Sequence, residues 1–196
     1  MASSSRPAAR RLTLASGSPQ RRAILERLSV PFSVCVAGVT ELDVGEPEEV
    51  ARENALRKAR AVSARSGGGP VLGCDTLVAL ADQIYGKPAD EHAARATLRA
   101  LSGATHAVVG GLALVLDGQE RTATARTAVS FRVLDEGLLD WYLATGEWRG
   151  RAGAYAIQGA GAALVRSVHG DYENVVGLPL AALLDLYPEL LDDPER

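Results

Sequence analysis

Cysteine is nearly missing from the 196-residue sequence: Cys35 and Cys74 stand alone in separate apolar stretches. That excludes a disulfide framework and a CxxC metal knuckle, and it favours a reducing, cytosolic compartment. Long apolar runs are also missing. None approaches the roughly 18 residues of a membrane span, and the opening MASSSRPAARR passes into strand-like LTLAS without a signal-peptide core. The chain therefore reads as soluble, unexported and cytoplasmic, with residues 1–10 and 192–196 as flexible tails. A formal charge of −3 excludes whole-surface attraction to nucleic acid or anionic lipid and leaves anion binding to a local pocket. The three histidines, His92, His106 and His169, have no spacing that supports a zinc site or a Ser-His-Asp triad. Aromatic residues are only 5%, and Trp141, Tyr142 and Trp148 read as core or packing residues rather than a base-stacking platform.

What remains is a composition of 47% hydrophobic and 23% charged residues, which fits one globular domain or at most two small lobes. At this length about 70% of the unfolded surface can leave water, so a core forms without disulfide or structural metal. Patterning predicts a strand at 12–15, a helix from Pro19 to Leu28 and a strand at Phe32–Val36. A long helix from Glu46 to Arg65 follows, with Ala51, Asn54, Ala55, Lys58 and Val62 on one stripe. The run Val71–Leu80 reads as a buried strand and 90–101 as a helix. Asp117-Gly118 marks a hairpin between strands at 106–116 and 122–133. A helix at 135–144, strands at Tyr155–Ile157 and Ala162–Val168, and a last helix over 178–191 complete the reading. The order predicts an α/β fold over 11–191, with a mixed central sheet flanked by helices.

The chemistry concentrates in three places. In LASGSPQRR a strand turns through small residues into a helix whose start Ser18 and Pro19 fix. Free N–H groups, the positive helix end and nearby guanidinium groups would make an anion site, although taken alone the segment is explained more simply as a well-capped helix with two solvated arginines. Asp75 interrupts an apolar strand, and a buried carboxylate needs a cation or donors beside it unless it reaches water at the strand end. Lysine is scarce, arginine supplying most of the 21 basic residues, yet Lys58 lies on the inward helix stripe and Lys87 is fixed between Gly86 and Pro88. Glu41 is a candidate second carboxylate for a hard cation such as Mg²⁺, loop glutamates otherwise being solvated. In GAYAIQGAG the sole polar side chain, Gln158, has the donor and acceptor needed to read a nucleobase edge; glycine packing is the bland alternative.

These segments in order, LASGSPQRR, GCDTLVAL, YGKP, LSGATH, RAGAYAIQGAGA and GDYENVVGLPL, resemble the Maf family of nucleoside triphosphate pyrophosphatases from about Leu12 to Leu186. The resemblance implies a Maf/inosine triphosphatase-like fold, with two lobes around a nucleotide cleft. It also implies hydrolysis of a nucleoside triphosphate to monophosphate and pyrophosphate with a divalent cation, Mg²⁺ or Mn²⁺. By the family's pattern Asp75 accepts the proton of the attacking water, and Glu41 with Asp75 places the metal. Ser16, Arg21, Lys58 and Lys87 hold the triphosphate. Thr76 and Gln158 resemble the branch acting on dTTP and UTP, while Gln20 stands where the family has an arginine associated with substrate choice. Arg151 and Gly110 replace a common lysine and a common threonine. A homodimer is implied too, without nucleic-acid or membrane partners. The family's link to septum formation leaves a noncatalytic nucleotide-sensing or nucleic-acid-binding regulator of cell division as one alternative, and a purine-directed pyrophosphatase as another.

Overall fold

The computed structural model describes residues 11–192. The tail expected at 1–10, and all but the first residue of the tail expected at 192–196, lie outside them. Strand β1 (Leu12–Leu14) turns at Ser18, whose hydroxyl accepts the Arg21 N–H and caps α1 (Pro19–Arg27), with Pro19 at the first helical position. Strand β2 (Phe32–Val34) leads through a loop to α2 (Pro47–Ser63), where Glu46 caps the free N–H groups of Glu48 and Glu49. Next come β3 (Val71–Leu80), β4 (Gln83–Tyr85) and α3 (Glu91–Leu101). The long hairpin β5 (Thr105–Leu116) and β6 (Gln119–Phe131) turns at Asp117 (φ 49°) and Gly118 (φ 77°), the left-handed pair a two-residue turn requires. Helix α4 (Glu136–Ala144), β7 (Val165–His169), α5 (Tyr172–Val176) and α6 (Leu180–Leu186) follow.

The seven strands form one mixed sheet in the order β2-β1-β3-β5-β6-β7, with β4 also on β3. The three leading strands are parallel, and the other pairings are antiparallel. Among the described residues four apolar clusters flank the sheet: one packs α1, β1 and α6, another α3 and α4 with Phe131, Tyr155 and Ile157, and two smaller ones lie under α2.

Helix α2 lies on β3 and β5 at positions where the strands carry no side chain. A Cβ on Gly73 would stand 2.0 Å from the Ala55 carbonyl oxygen, and one on Gly111 2.1 Å from that of Ala51. Gly111→Ala is therefore expected to destabilise the fold by about 2–3 kcal/mol, the upper range for overpacking, measured as a lower denaturant midpoint with unchanged slope.

Three expectations are corrected. Tyr155–Ile157 is not a strand: it follows a 3-10 turn at Ala152–Ala154 with Gly153 at φ 68°, and a second such turn, Ala160–Leu164, precedes β7. The expected last helix is α6 plus a 3-10 turn at Pro188–Leu191, the break falling before Pro188, which donates no N–H. Trp141, expected as a core or packing residue, is 49% exposed on the outer face of α4, while Tyr142 and Trp148 are buried.

Candidate active site

Strand β3 is paired with β5 from Val71 to Ala79, but its other edge has a gap. There β1 pairs only as far as Leu72, and β4 begins at Val78. Residues 73–77 border that gap, and alternation along the strand sends Asp75 and Thr76 to opposite faces of the sheet. A cleft of about 1040 Å³ opens there, large enough for a nucleoside triphosphate. It brings together every candidate residue: Ser16, Gln20, Arg21, Glu41, Lys58, Asp75, Thr76, Lys87 and Gln158 all line it.

On the α2 face, Asp75 is 4% exposed, with a partner on each carboxylate oxygen. Lys58 Nζ donates to Asp75 Oδ1 at 2.6 Å, and Asn54 Nδ2 donates to Oδ2 at 3.0 Å. The helical i, i+4 spacing is what places Asn54 and Lys58 over the same carboxylate. Lys58 uses its other donors on Glu41 Oε1, at 2.6 Å, and on the Cys74 carbonyl, at 3.3 Å. Asn54 also binds both backbone groups of Leu42, which anchors the loop carrying Glu41. Burial acts to raise the Glu41 carboxyl, but the Lys58 hydrogen bond and the charges of Lys58, Lys87 and Arg21 outweigh it and hold the group below its ordinary value. Burial also pushes the Cys74 thiol up to about 11, so it stays protonated and is no competing nucleophile.

On the opposite face, Arg21 is 8% exposed, held by Nη1 to Ser16 Oγ at 2.8 Å, Nη2 to Thr76 Oγ1 at 3.0 Å and Nε to the Gly177 carbonyl at 2.8 Å. Gln20 accepts from the Ser18 hydroxyl at 3.1 Å. The far wall is the 149–158 segment. Tyr155 hydrogen-bonds His106 Nε2 at 3.0 Å beneath this wall, and burial pushes His106 down to about 4, leaving it neutral at pH 7.

Two cleft residues were not among the sequence candidates for binding. Arg149 is exposed and stacks on Trp148, its guanidinium 4.6 Å from the ring centroid, and Arg151 has a buried Nε with no partner. Neither they nor Lys87 form an ion pair among the described residues. With Arg21 and Lys58 they make five cations against Glu41, Asp43 and Asp75, a formal +2 in a chain of net −3. The flanking Gly146 and Gly150 were the only local signal of a loop there.

Among the described residues no group of three or more His, Cys, Asp or Glu side chains is placed to hold a metal ion. Two hard carboxylates do converge, however, since Glu41 and Asp75 meet at one ammonium nitrogen. Mg²⁺ is commonly held by one or two carboxylates, with water and substrate phosphate completing its shell. The donor set thus fits a divalent cation that arrives with an anionic substrate.

The Maf-like protein family profile matches residues 11–190. The chain belongs to the Maf family. Among similar proteins, the dTTP/UTP pyrophosphatase of Symbiobacterium thermophilum is 47% identical, the match covering 86% of this chain and 88% of that one. The dTTP/UTP pyrophosphatase of Deinococcus radiodurans is 44% identical over 90% of this chain and 91% of its own. That of Thermococcus gammatolerans is 44% identical over 89% and 94%. Among the described residues of this Maf protein, no helix is long and apolar enough to cross a membrane.

Proposed function

We propose that this protein is a hydrolase that cleaves dTTP, UTP and related pyrimidine triphosphates to the monophosphate and pyrophosphate. The observation that carries the reading is Asp75, set in the sheet gap between an anchoring amide and Lys58 and facing a cleft with surplus positive charge. Relatives named dTTP/UTP pyrophosphatase support it over nearly the whole chain.

Asp75 accepts one hydrogen bond on each oxygen, and a carboxylate has room for about four, so a water can still bind it. That water loses its proton to Asp75 as its oxygen attacks the α-phosphorus. The bond from the α-phosphorus to the α,β-bridging oxygen breaks, and pyrophosphate leaves with that electron pair. No covalent intermediate forms. Ser16, Arg21, Lys58 and Lys87 orient the phosphates, and fixed donors need no reorganisation as charge builds. Glu41 and Asp75 would hold a divalent cation, whose contribution is to offset phosphate charge. Gln158, Thr76 and Gln20 read the base. Cytoplasmic placement is supported by the free thiols of Cys35 and Cys74.

The test is a panel of nucleoside triphosphates assayed with Mg²⁺ or Mn²⁺. Pyrophosphate, not successive orthophosphates, should appear fastest from dTTP or UTP. Faster release from purine triphosphates would refute the base assignment, and none from any triphosphate would refute the activity.

The unpaired arginines add a prediction. Lys58 spends its three donors on protein groups and acts on phosphate through its charge, Arg21 keeps two of its five N–H donors, and Arg149, Arg151 and Lys87 keep theirs for incoming phosphate. Arg151→Gln should raise KM for dTTP roughly tenfold, the scale of one charge-assisted hydrogen bond, with kcat changed much less. Arg151→Lys should recover only part of the loss, because the forked donor geometry is gone. Steady-state kinetics of the two variants decide it.

A further inference from the structure

The carbonyl of Gly177 accepts from two side chains far apart in sequence: Arg21 Nε at 2.8 Å and the Thr76 hydroxyl at 3.3 Å. Arg21 Nη2 also donates to Thr76 Oγ1 at 3.0 Å, closing a ring of hydrogen bonds. The residue assigned to phosphate and the one assigned to base choice therefore share one acceptor. Such a carbonyl orients them only if its own direction is fixed. Gly177 sits at φ +135° just past α5, its N–H bonded to the Glu173 carbonyl at 2.9 Å. Helix α5 has only five residues, too few to hold itself in place.

Asn174 holds it. Its side chain is completely buried, and Nδ2 donates to the Val108 carbonyl of β5 at 3.0 Å and to Thr127 Oγ1 of β6 at 3.0 Å. A third contact reaches the Ala125 carbonyl at 3.3 Å. The amide lies over Gly110, where a Cβ would come within 2.1 Å of Asn174 Oδ1, and Gly110 is the cross-strand partner of Thr76. Thr127 in turn donates to the Asp171 carbonyl at 3.0 Å, and Asp171 caps α5 through the Glu173 N–H at 2.8 Å. The short helix is thus pinned to the sheet at the register of Thr76. Neither Asn174 nor Thr127 lines the cleft.

We infer that Asn174 is a positioning residue that couples base selection to phosphate binding, by holding the Gly177 carbonyl against Arg21 and Thr76 together. The inference rests on the pyrophosphatase reading above. Loosening the pin should move both side chains at once, whereas ordinary loss of stability should move neither selectively.

The test compares full-length Asn174→Ala, Thr127→Val and Leu101→Ala, the last emptying core volume at a residue that does not line the cleft. Each is assayed for KM with dTTP, for the dTTP-over-GTP ratio of kcat/KM, and for melting temperature. Asn174→Ala should raise KM and lower the ratio together, each by about tenfold, the scale of lost hydrogen bonds around one polar group. Thr127→Val should shift both in the same direction by about threefold, since the hydroxyl's bonds to Asn174 and to the Asp171 carbonyl are lost while Asn174 keeps its bonds to the Val108 and Ala125 carbonyls. Leu101→Ala should lower the melting temperature and leave the ratio unchanged. If Asn174→Ala changes only melting temperature, or KM without the ratio, the coupling is overturned. If Asn174→Ala does not fold, Thr127→Val decides by the same paired readout. A wild-type protein that releases no pyrophosphate overturns the activity itself and takes this inference with it, a result distinct from normal wild-type turnover with unmoved variants.

Discussion

Asp75→Asn is expected to lower kcat for pyrophosphate release by roughly a thousandfold, within the range attributed to a positioned general base, while triphosphate affinity holds or improves. The substitution keeps the shape of the side chain, and its carbonyl oxygen can still accept from Asn54. What it removes is the proton acceptor and the ion pair to Lys58, which retains Glu41 and the Cys74 carbonyl. One negative charge leaves a cleft that must accept a polyanion, so binding measured without a divalent cation has no electrostatic reason to weaken. Titration with dTTP, with turnover in the same preparation, separates the two effects. Full turnover in the variant would remove Asp75 from the mechanism, and a parallel loss of binding would make it a structural anchor only.

The sequence exposes those parts of the molecule whose causes are local. The start of α1 is written in Ser18-Pro19, the hairpin in Asp117-Gly118, and the contact of Asn54 and Lys58 with one partner in their helical spacing. Asp75 stands out because a lone acid in an apolar strand requires compensation. By contrast, the 152–164 segment defeats periodicity: alanine and glycine fit strand, turn or 3-10 geometry alike, and Gly153 at φ 68° turns the chain before Tyr155. Trp141 looks like core by residue type, but α4 buries Leu139, Tyr142 and Leu143 and turns the indole outward. Helix α5 is flanked by a capping Asp171 and a terminating Gly177, yet it is too short for a hydrophobic stripe to show. Arg149, Arg151 and the bond from Arg21 to a carbonyl 156 residues away depend on which loops meet, which no local pattern encodes.

Lys58→Met should show what the site costs the fold. Lys58 is nearly buried and lies 2.6 Å from both Asp75 and Glu41, so its removal leaves a buried carboxylate without a cation. Breaking such a pair from one side costs about 3–5 kcal/mol, and activity should fall with it because the proposed phosphate ligand is lost as well. The loss of stability should depend on pH. An uncompensated buried carboxylate favours its protonated form, so the folded variant binds more protons than the unfolded chain and its stability falls as pH rises. Denaturation of Lys58→Met at acid and alkaline pH should therefore differ from wild type least at the acid end. Adding Asp75→Leu removes the stranded charge and fills its place with apolar volume. The double variant should recover most of the lost stability and none of the activity, since replacing a buried pair as a whole is often neutral. Recovery of stability without turnover would mean that the pair is retained for chemistry rather than for folding. A double variant no more stable than Lys58→Met would instead make the ion pair a net structural contributor.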